Sequence, residues 1–128
     1  MKRKIIVMLI ILVMLFIVTF SVYSIYLNIF THRIKGTWRV TYLGDDNLEY
    51  TQKYIIMNNT IRNYVIRPDG SESVYYLGKY QKTLSGKIKW RSNLKDGPKY
   101  YELDYSFKEQ ALYETINGER TVKYSKER

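Results

Sequence analysis

From Ile5 to Phe30 the chain carries no charged side chain, and Lys2, Arg3 and Lys4 stand directly before that run. Its 26 residues, at about 1.5 Å each, make roughly 39 Å of helix, more than the ~30 Å hydrocarbon core of a bilayer. A cleaved signal peptide would have a shorter apolar region and a small-residue cleavage site. Here Val22, Tyr23, Ile25, Tyr26 and Ile29 continue the run, and only Ser21 and Ser24 are small. Residues 1–30 therefore predict an uncleaved transmembrane signal anchor, and 31–35 a juxtamembrane linker. Tyr23 and Tyr26 suit the aromatic belt of the outer interface. The N-terminal amine with Lys2, Arg3 and Lys4 faces Arg33, Lys35 and Arg39 across the apolar run. The expected orientation is N-in, C-out: a single-pass protein of the inner (cytoplasmic) membrane with its C-terminal part extracytoplasmic, on the periplasmic side.

Beyond Lys35 the period changes. Aromatic and β-branched residues alternate with polar ones, and turn-forming clusters recur at short intervals. This pattern predicts antiparallel strands over about 36–44, 48–57, 60–67, 72–81, 86–92, 99–107, 110–116 and 119–125. The dividing signals are Gly44-Asp45-Asp46-Asn47, Asn58-Asn59, Pro68-Asp69-Gly70, Ser85-Gly86, Asp96-Gly97-Pro98, Lys108-Glu109 and Asn117-Gly118. Asn58-Asn59-Thr60 also fits a glycosylation acceptor, but a hairpin turn already explains it.

One hairpin can be aligned from sequence. Placing Arg91 opposite Tyr100 sets Lys89 against Glu102 and Lys87 against Asp104, while Trp90 meets Tyr101 and Ile88 meets Leu103. One face is then apolar and the other charge-paired, as a half-buried hairpin requires. The last hairpin stays open. A two-residue turn at Asn117-Gly118 puts Leu112 and Ile116 on the face opposite Val122 and Tyr124, and a three-residue loop with a bulge realigns them.

Eight short strands joined by short turns predict an all-β domain over 36–128: a small eight-stranded, antiparallel, up-and-down barrel, closed so that no edges remain. Its interior is filled by side chains or holds one small ligand. Trp38, Val40, Tyr42, Tyr54, Ile56, Val65, Val74, Tyr76, Ile88, Trp90, Tyr101, Leu103, Tyr105 and Phe107 form the expected interior. Among them Trp38, Trp90, Tyr101 and Leu103 are assigned to closure and core, and Tyr42, Tyr54, Tyr76 and Tyr105 to a candidate cavity.

Cysteine is absent, which excludes disulfides, thiolate metal sites and a cysteine nucleophile. The net charge of +9 falls to +6 once Lys2, Arg3 and Lys4 are set aside, leaving 18 basic and 12 acidic residues. That excess suits an anionic surface or partner, and the row Lys87, Lys89 and Arg91 is the candidate binding surface. Pairing with Glu102 and Asp104 is its simpler account. Twelve tyrosines in the domain fit strand packing and equally an aromatic cavity or docking surface. The single histidine, His32, lies at the membrane boundary. The acidic residues sit at turns or on polar faces. No catalytic, cofactor-binding or metal-binding constellation is suggested, and an enzyme is not expected.

Gly36-Thr37-Trp38 resembles the Gly-x-Trp start of lipocalin-like (calycin-like) domains, in which the tryptophan plugs one barrel end. The later order is similar to that of small bacterial lipocalin-like domains: Pro68-Asp69-Gly70-Ser71, Gly78-Lys79-Tyr80, then Gly86-Lys87-Ile88-Lys89-Trp90. With the anchor, the chain resembles the ToxS and VtrC type of membrane-bound accessory protein, whose periplasmic lipocalin-like domain pairs with a membrane-spanning transcriptional regulator. The resemblance implies a non-enzymatic binding or regulatory module for a membrane protein partner, with a small apolar ligand as a further occupant; the expected orientation, with the domain outside the cytoplasm, leaves no role for nucleic acid. Two other binding roles share this appearance: an immunity or superinfection-exclusion protein that captures a toxin or blocks phage entry, and a structural subunit of an envelope assembly.

Overall fold

A computed structural model describes residues 1–94 and 97–127, with the side chains of all of these except 92–94, 97 and 98. The chain forms two compact units, Met1–His32 and Arg33–Arg128.

The first is almost entirely helix. α1 runs over Lys2–Ile34, 33 residues, and contains an 18-residue window of mean hydropathy 3.3. That is long and apolar enough to span a membrane. Its large apolar side chains from Ile5 to Phe20 are exposed. Residues 31–34, expected as linker, are instead the last turn of α1. Thr31, His32 and Arg33 contain no breaker, and the helix ends only as Gly36 takes φ +136°.

The second unit is all β. Its strands are β1 Gly36–Leu43, β2 Glu49–Ile56, β3 Thr60–Ile66, β4 Glu72–Lys79, β5 Gln81–Lys82, β6 Lys87–Leu94, β7 Gly97–Ser106, β8 Ala111–Ile116 and β9 Glu119–Lys126. All neighbours are antiparallel, in the order β4-β3-β2-β1-β9-β8-β7-β6-β5. The result is a nearly closed barrel of nine strands rather than eight. The extra strand arises at Tyr80, which divides the expected 72–81 strand into β4 and β5. Its phenol is buried and donates to the carbonyls of Met57 (2.5 Å) and Asn58 (3.1 Å). The chain thus steps from one end of the sheet to the other. Beyond that step β4 and the Trp90–Leu94 part of β6 share no ladder, which leaves an open seam along one side.

The β6–β7 register is the expected one, with Lys87 opposite Asp104, Lys89 opposite Glu102, Trp90 opposite Tyr101 and Arg91 opposite Tyr100. Gly97 and Pro98, expected in the turn, belong to β7, and Asp96 lies outside the described residues. The last hairpin combines the two alternatives. Ile116 pairs with Glu119 across a two-residue turn, and a bulge follows between the pairs Thr115–Arg120 and Glu114–Val122. Asn117 and Gly118 both have positive φ, 52° and 80°, the mirror-image turn that matches strand twist. Thr121, the inserted residue, donates from Oγ1 to the Glu114 carbonyl at 3.2 Å. The slip puts Leu112 opposite Tyr124, both fully buried, and leaves Ile116 63% exposed at the barrel end.

A second bulge corrects the expected interior. Asn63 pairs with Tyr76 but Tyr64 pairs with Val74, so Tyr75 is the extra residue. Side chains alternate along a strand, so one inserted residue reverses their facing. Val74 is therefore turned outward and 50% exposed, while Ser73 opposes the inward Val65. Phe107 lies past the end of β7 and is 42% exposed, its ring edge-on to Tyr105 at 4.9 Å. Trp38, Tyr54, Ile56, Val65, Ile88, Trp90, Leu103 and Tyr105 are buried as expected.

Trp38 packs edge-on against Tyr105, centroids 5.9 Å apart, and donates its indole N–H to the Ile34 carbonyl at 2.7 Å. Lys126 Nζ reaches the Arg33 carbonyl at 3.3 Å. Both carbonyls lie in the last turn of α1, where no intrahelical donor remains for them.

Candidate functional site

The ladders bring one set of inward positions to a common level. Tyr54 pairs with Asn63 and Asn63 with Tyr76 on one side, while Trp90 pairs with Tyr101 and Leu103 with Glu114 on the other. Between them lies a cavity of about 230 Å³, lined by Gln52, Tyr54, Asn63, Tyr75, Tyr76, Trp90, Tyr101 and Glu114. The bulge supplies Tyr75 to the wall as well as reversing β4.

Aromatic rings make most of this wall. Trp90 stacks with Tyr76 (6.0 Å, 25°) and with Tyr101 (5.6 Å, 11°), and meets Tyr54 edge-on at 5.7 Å. Tyr54 meets Tyr124 edge-on at 5.0 Å. Both phenols turn to one carboxylate. Tyr54 Oη donates to Glu114 Oε1 at 3.3 Å, and Tyr124 Oη to Oε2 at 3.2 Å. Burial first, and the Glu114 charge as a further cause, push the pKa of Tyr54 and of Tyr124 well above that of a free phenol. Both therefore remain donors at neutral pH. Gln52 Nε2 lies 3.5 Å from Asn63 Oδ1. Among the described residues no cation lies within ion-pair distance of Glu114.

Of the four candidate cavity residues, Tyr54 and Tyr76 line this space. Tyr42 does not. It keeps the inward phase of Trp38 and Val40 but lies at the hairpin end, 42% exposed, stacked on Tyr50 at 5.9 Å beside Gly44, Asp45 and Asp46. Tyr105 is buried, edge-on to Trp38 and to the exposed Phe107, and is not part of the cavity lining. Of the closure and core set, Trp38 and Leu103 are buried core. Trp90 is buried core too and, with the half-buried Tyr101, also lines the cavity. Glu114, Gln52 and Asn63 are the functional candidates that sequence reasoning missed. Glu114 could have been found, because it follows Leu112 by two positions and so shares its face.

The basic row divides. Lys87 and Lys89 both reach Glu102, at 3.0 and 3.9 Å, while Asp104 pairs with Arg120 at 2.9 Å instead of with Lys87. Arg91 lies over the Tyr100 ring at 5.9 Å. Lys89 and Arg91 also line the seam, a groove of about 510 Å³ bounded by Tyr76, Lys79, Tyr80, Gln81, Trp90 and Tyr100 as well. Among the described residues no group of three or more His, Asp or Glu side chains could hold a metal ion.

No protein-family model, curated protein or solved structure matches the chain.

Proposed function

We propose that this chain is a membrane-anchored binding module, with α1 in the inner (cytoplasmic) membrane and the barrel outside the cytoplasm, and that the seam receives a segment of a membrane protein partner. The observation that carries the reading is the seam itself: two strand edges that have no ladder partner among the described residues, flanked by Lys79, Lys89 and Arg91 and by four aromatic side chains. Open edges accept an extended segment through main-chain hydrogen bonds. The flanking cations favour an acidic one, and tyrosine and tryptophan are the side chains on which interfaces rely. A regulatory role beside a membrane-spanning partner, as in the ToxS and VtrC type, agrees with this arrangement. The Lys2-Arg3-Lys4 flank supports retention of the N-terminus in the cytoplasm.

A photo-crosslinking residue at position 100, on the seam, should give adducts with a membrane protein in native membranes. The same residue at Thr41, on β1 at the far side of the ring, should not. Adducts from both positions or from neither reject the seam as the docking site. A reporter fused after Arg128 and active only outside the cytoplasm should score positive, and cytoplasmic activity rejects the orientation.

A further inference from the structure

Glu114 presents a carboxylate to a space walled by aromatic rings, and two protonated phenols are its hydrogen-bond partners. Phenols orient an anion without neutralising it. Ring faces carry negative potential, so a cation over an open face of this wall is drawn in the same direction as by the carboxylate, although Trp90 already stacks with Tyr76 and Tyr101. A hydrocarbon ligand would strip water from Glu114, Gln52 and Asn63 without replacing its hydrogen bonds, which costs free energy. An anion would meet like charge. A divalent ion would lack further carboxylate or imidazole ligands among the described residues. A compact organic cation supplies the counter-charge that Glu114 lacks and a partner for the rings, and where it carries an N–H it also donates to the polar wall. The volume of about 230 Å³ lies below the ~300–1,000 Å³ of pockets for drug-sized ligands and suits a group of a few heavy atoms. The chain already contains one such contact, with Lys99 Nζ 5.3 Å from the centre of the Tyr101 ring.

We propose that the barrel cavity is a binding site for an alkylammonium group, held by the rings of Tyr54, Tyr76, Trp90 and Tyr101 and by the Glu114 carboxylate. The group is either a free amine or the headgroup of a lipid. Binding needs no partner protein, so loss of the seam adducts would leave it unaffected, and its failure would leave the seam reading standing.

The test uses the full chain purified in a maltoside detergent, which carries no ammonium group. Choline and its neutral isostere 3,3-dimethylbutan-1-ol are titrated separately, with binding read by calorimetry and by tryptophan emission. Choline should bind at least about tenfold more tightly than the isostere, within the range of a desolvated cation–π site. Glu114→Gln retains two polar atoms for Tyr54 and Tyr124 while removing the charge. It should lower choline affinity by about tenfold or more and leave the isostere unchanged. Monomeric dihexanoylphosphatidylcholine distinguishes the sources: tighter binding than choline assigns the site to a lipid headgroup, and weaker binding to a free amine. Equal affinity of the wild-type chain for choline and the isostere, or no response to either, overturns the proposal without recourse to any variant.

Discussion

Tyr76 and Trp90 stack with ring centroids 6.0 Å apart across the seam, where their strands share no ladder. Trp90 continues the stack to Tyr101 at 5.6 Å on β7. Side chains thus join the two sides of the barrel where backbone hydrogen bonds do not. Gly78 is part of this arrangement. A Cβ there would lie 2.5 Å from the Tyr76 hydroxyl, which donates to the Lys79 carbonyl at 2.9 Å.

If the stack holds the seam, Tyr76 and Trp90 are energetically coupled. A cycle of Tyr76→Leu, Trp90→Leu and the double variant should give a coupling of about 0.5–1.5 kcal/mol in denaturant unfolding, the usual worth of an aromatic pair beyond its buried area. Additive effects of the two single changes would show that the seam is held by something else.

Trp38 combines 1% exposure with a buried hydrogen bond to the Ile34 carbonyl. Trp38→Ala should cost about 3–5 kcal/mol, the range for a large buried aromatic. Trp38→Phe retains most of the packing and loses the N–H, so it should cost less, on the order of 1–3 kcal/mol for the acceptor left buried. Melting of the full chain in detergent measures both. An unchanged transition in Trp38→Ala would exclude Trp38 from the core.

The long apolar helix is legible because a run of 26 uncharged residues has the length and composition of a membrane span, and the strands are legible because turn residues punctuate a period of two. Their phase is less so. Regular alternation places Val74 in the interior, and the insertion of Tyr75, which no turn residue marks, reverses it. A bulge of that kind depends on pairing with β3 and leaves no local signal. Division of the fourth strand depends likewise on carbonyls from the distant Met57-Asn58 turn, which Tyr80 reaches across the fold. The Lys87–Asp104 pairing illustrates another limit. The register is right, yet Arg120 takes Asp104 from a strand brought near only by β8. Glu114 is hard to place from sequence because acidic residues in strands usually face solvent.

Three phenols should make the barrel sensitive to alkali. Burial raises Tyr80 to about 12, and burial first, then charge, raises Tyr54 and Tyr124 further. An unfolded phenol ionises near pH 10. Above that pH the folded state holds more protons than the unfolded one, so stability falls as pH rises. The contribution is complete below about pH 10 and is lost toward the folded-state values, at about 1.4 kcal/mol per pH unit for each phenol. Denaturant midpoints should therefore be level to about pH 9 and decline steeply by about pH 11. Level midpoints throughout would mean that these phenols ionise as in the unfolded chain.

The basic row separates a structural from a binding role by its response to salt. Lys87 and Lys89 share Glu102 at a half-exposed site, and such pairs contribute no more than about 1 kcal/mol. Arg91 adds only an exposed contact with Tyr100, worth about 0.5–1 kcal/mol. Replacing Lys87, Lys89 and Arg91 by glutamine should therefore leave the fold intact, with a modest fall in melting temperature. Binding is a different matter if an acidic segment enters the seam. Lys89 and Arg91 then steer its approach, and their loss should slow association and remove much of its dependence on ionic strength. Adduct yield from the crosslinker at position 100 can be compared for wild type and the triple variant at low and moderate salt. A yield that falls with salt in the wild type, and is low and nearly salt-independent in the variant, assigns the row to partner recognition. Equal yields in all four conditions would remove the row from the binding surface and leave recognition to the aromatic side chains of the seam.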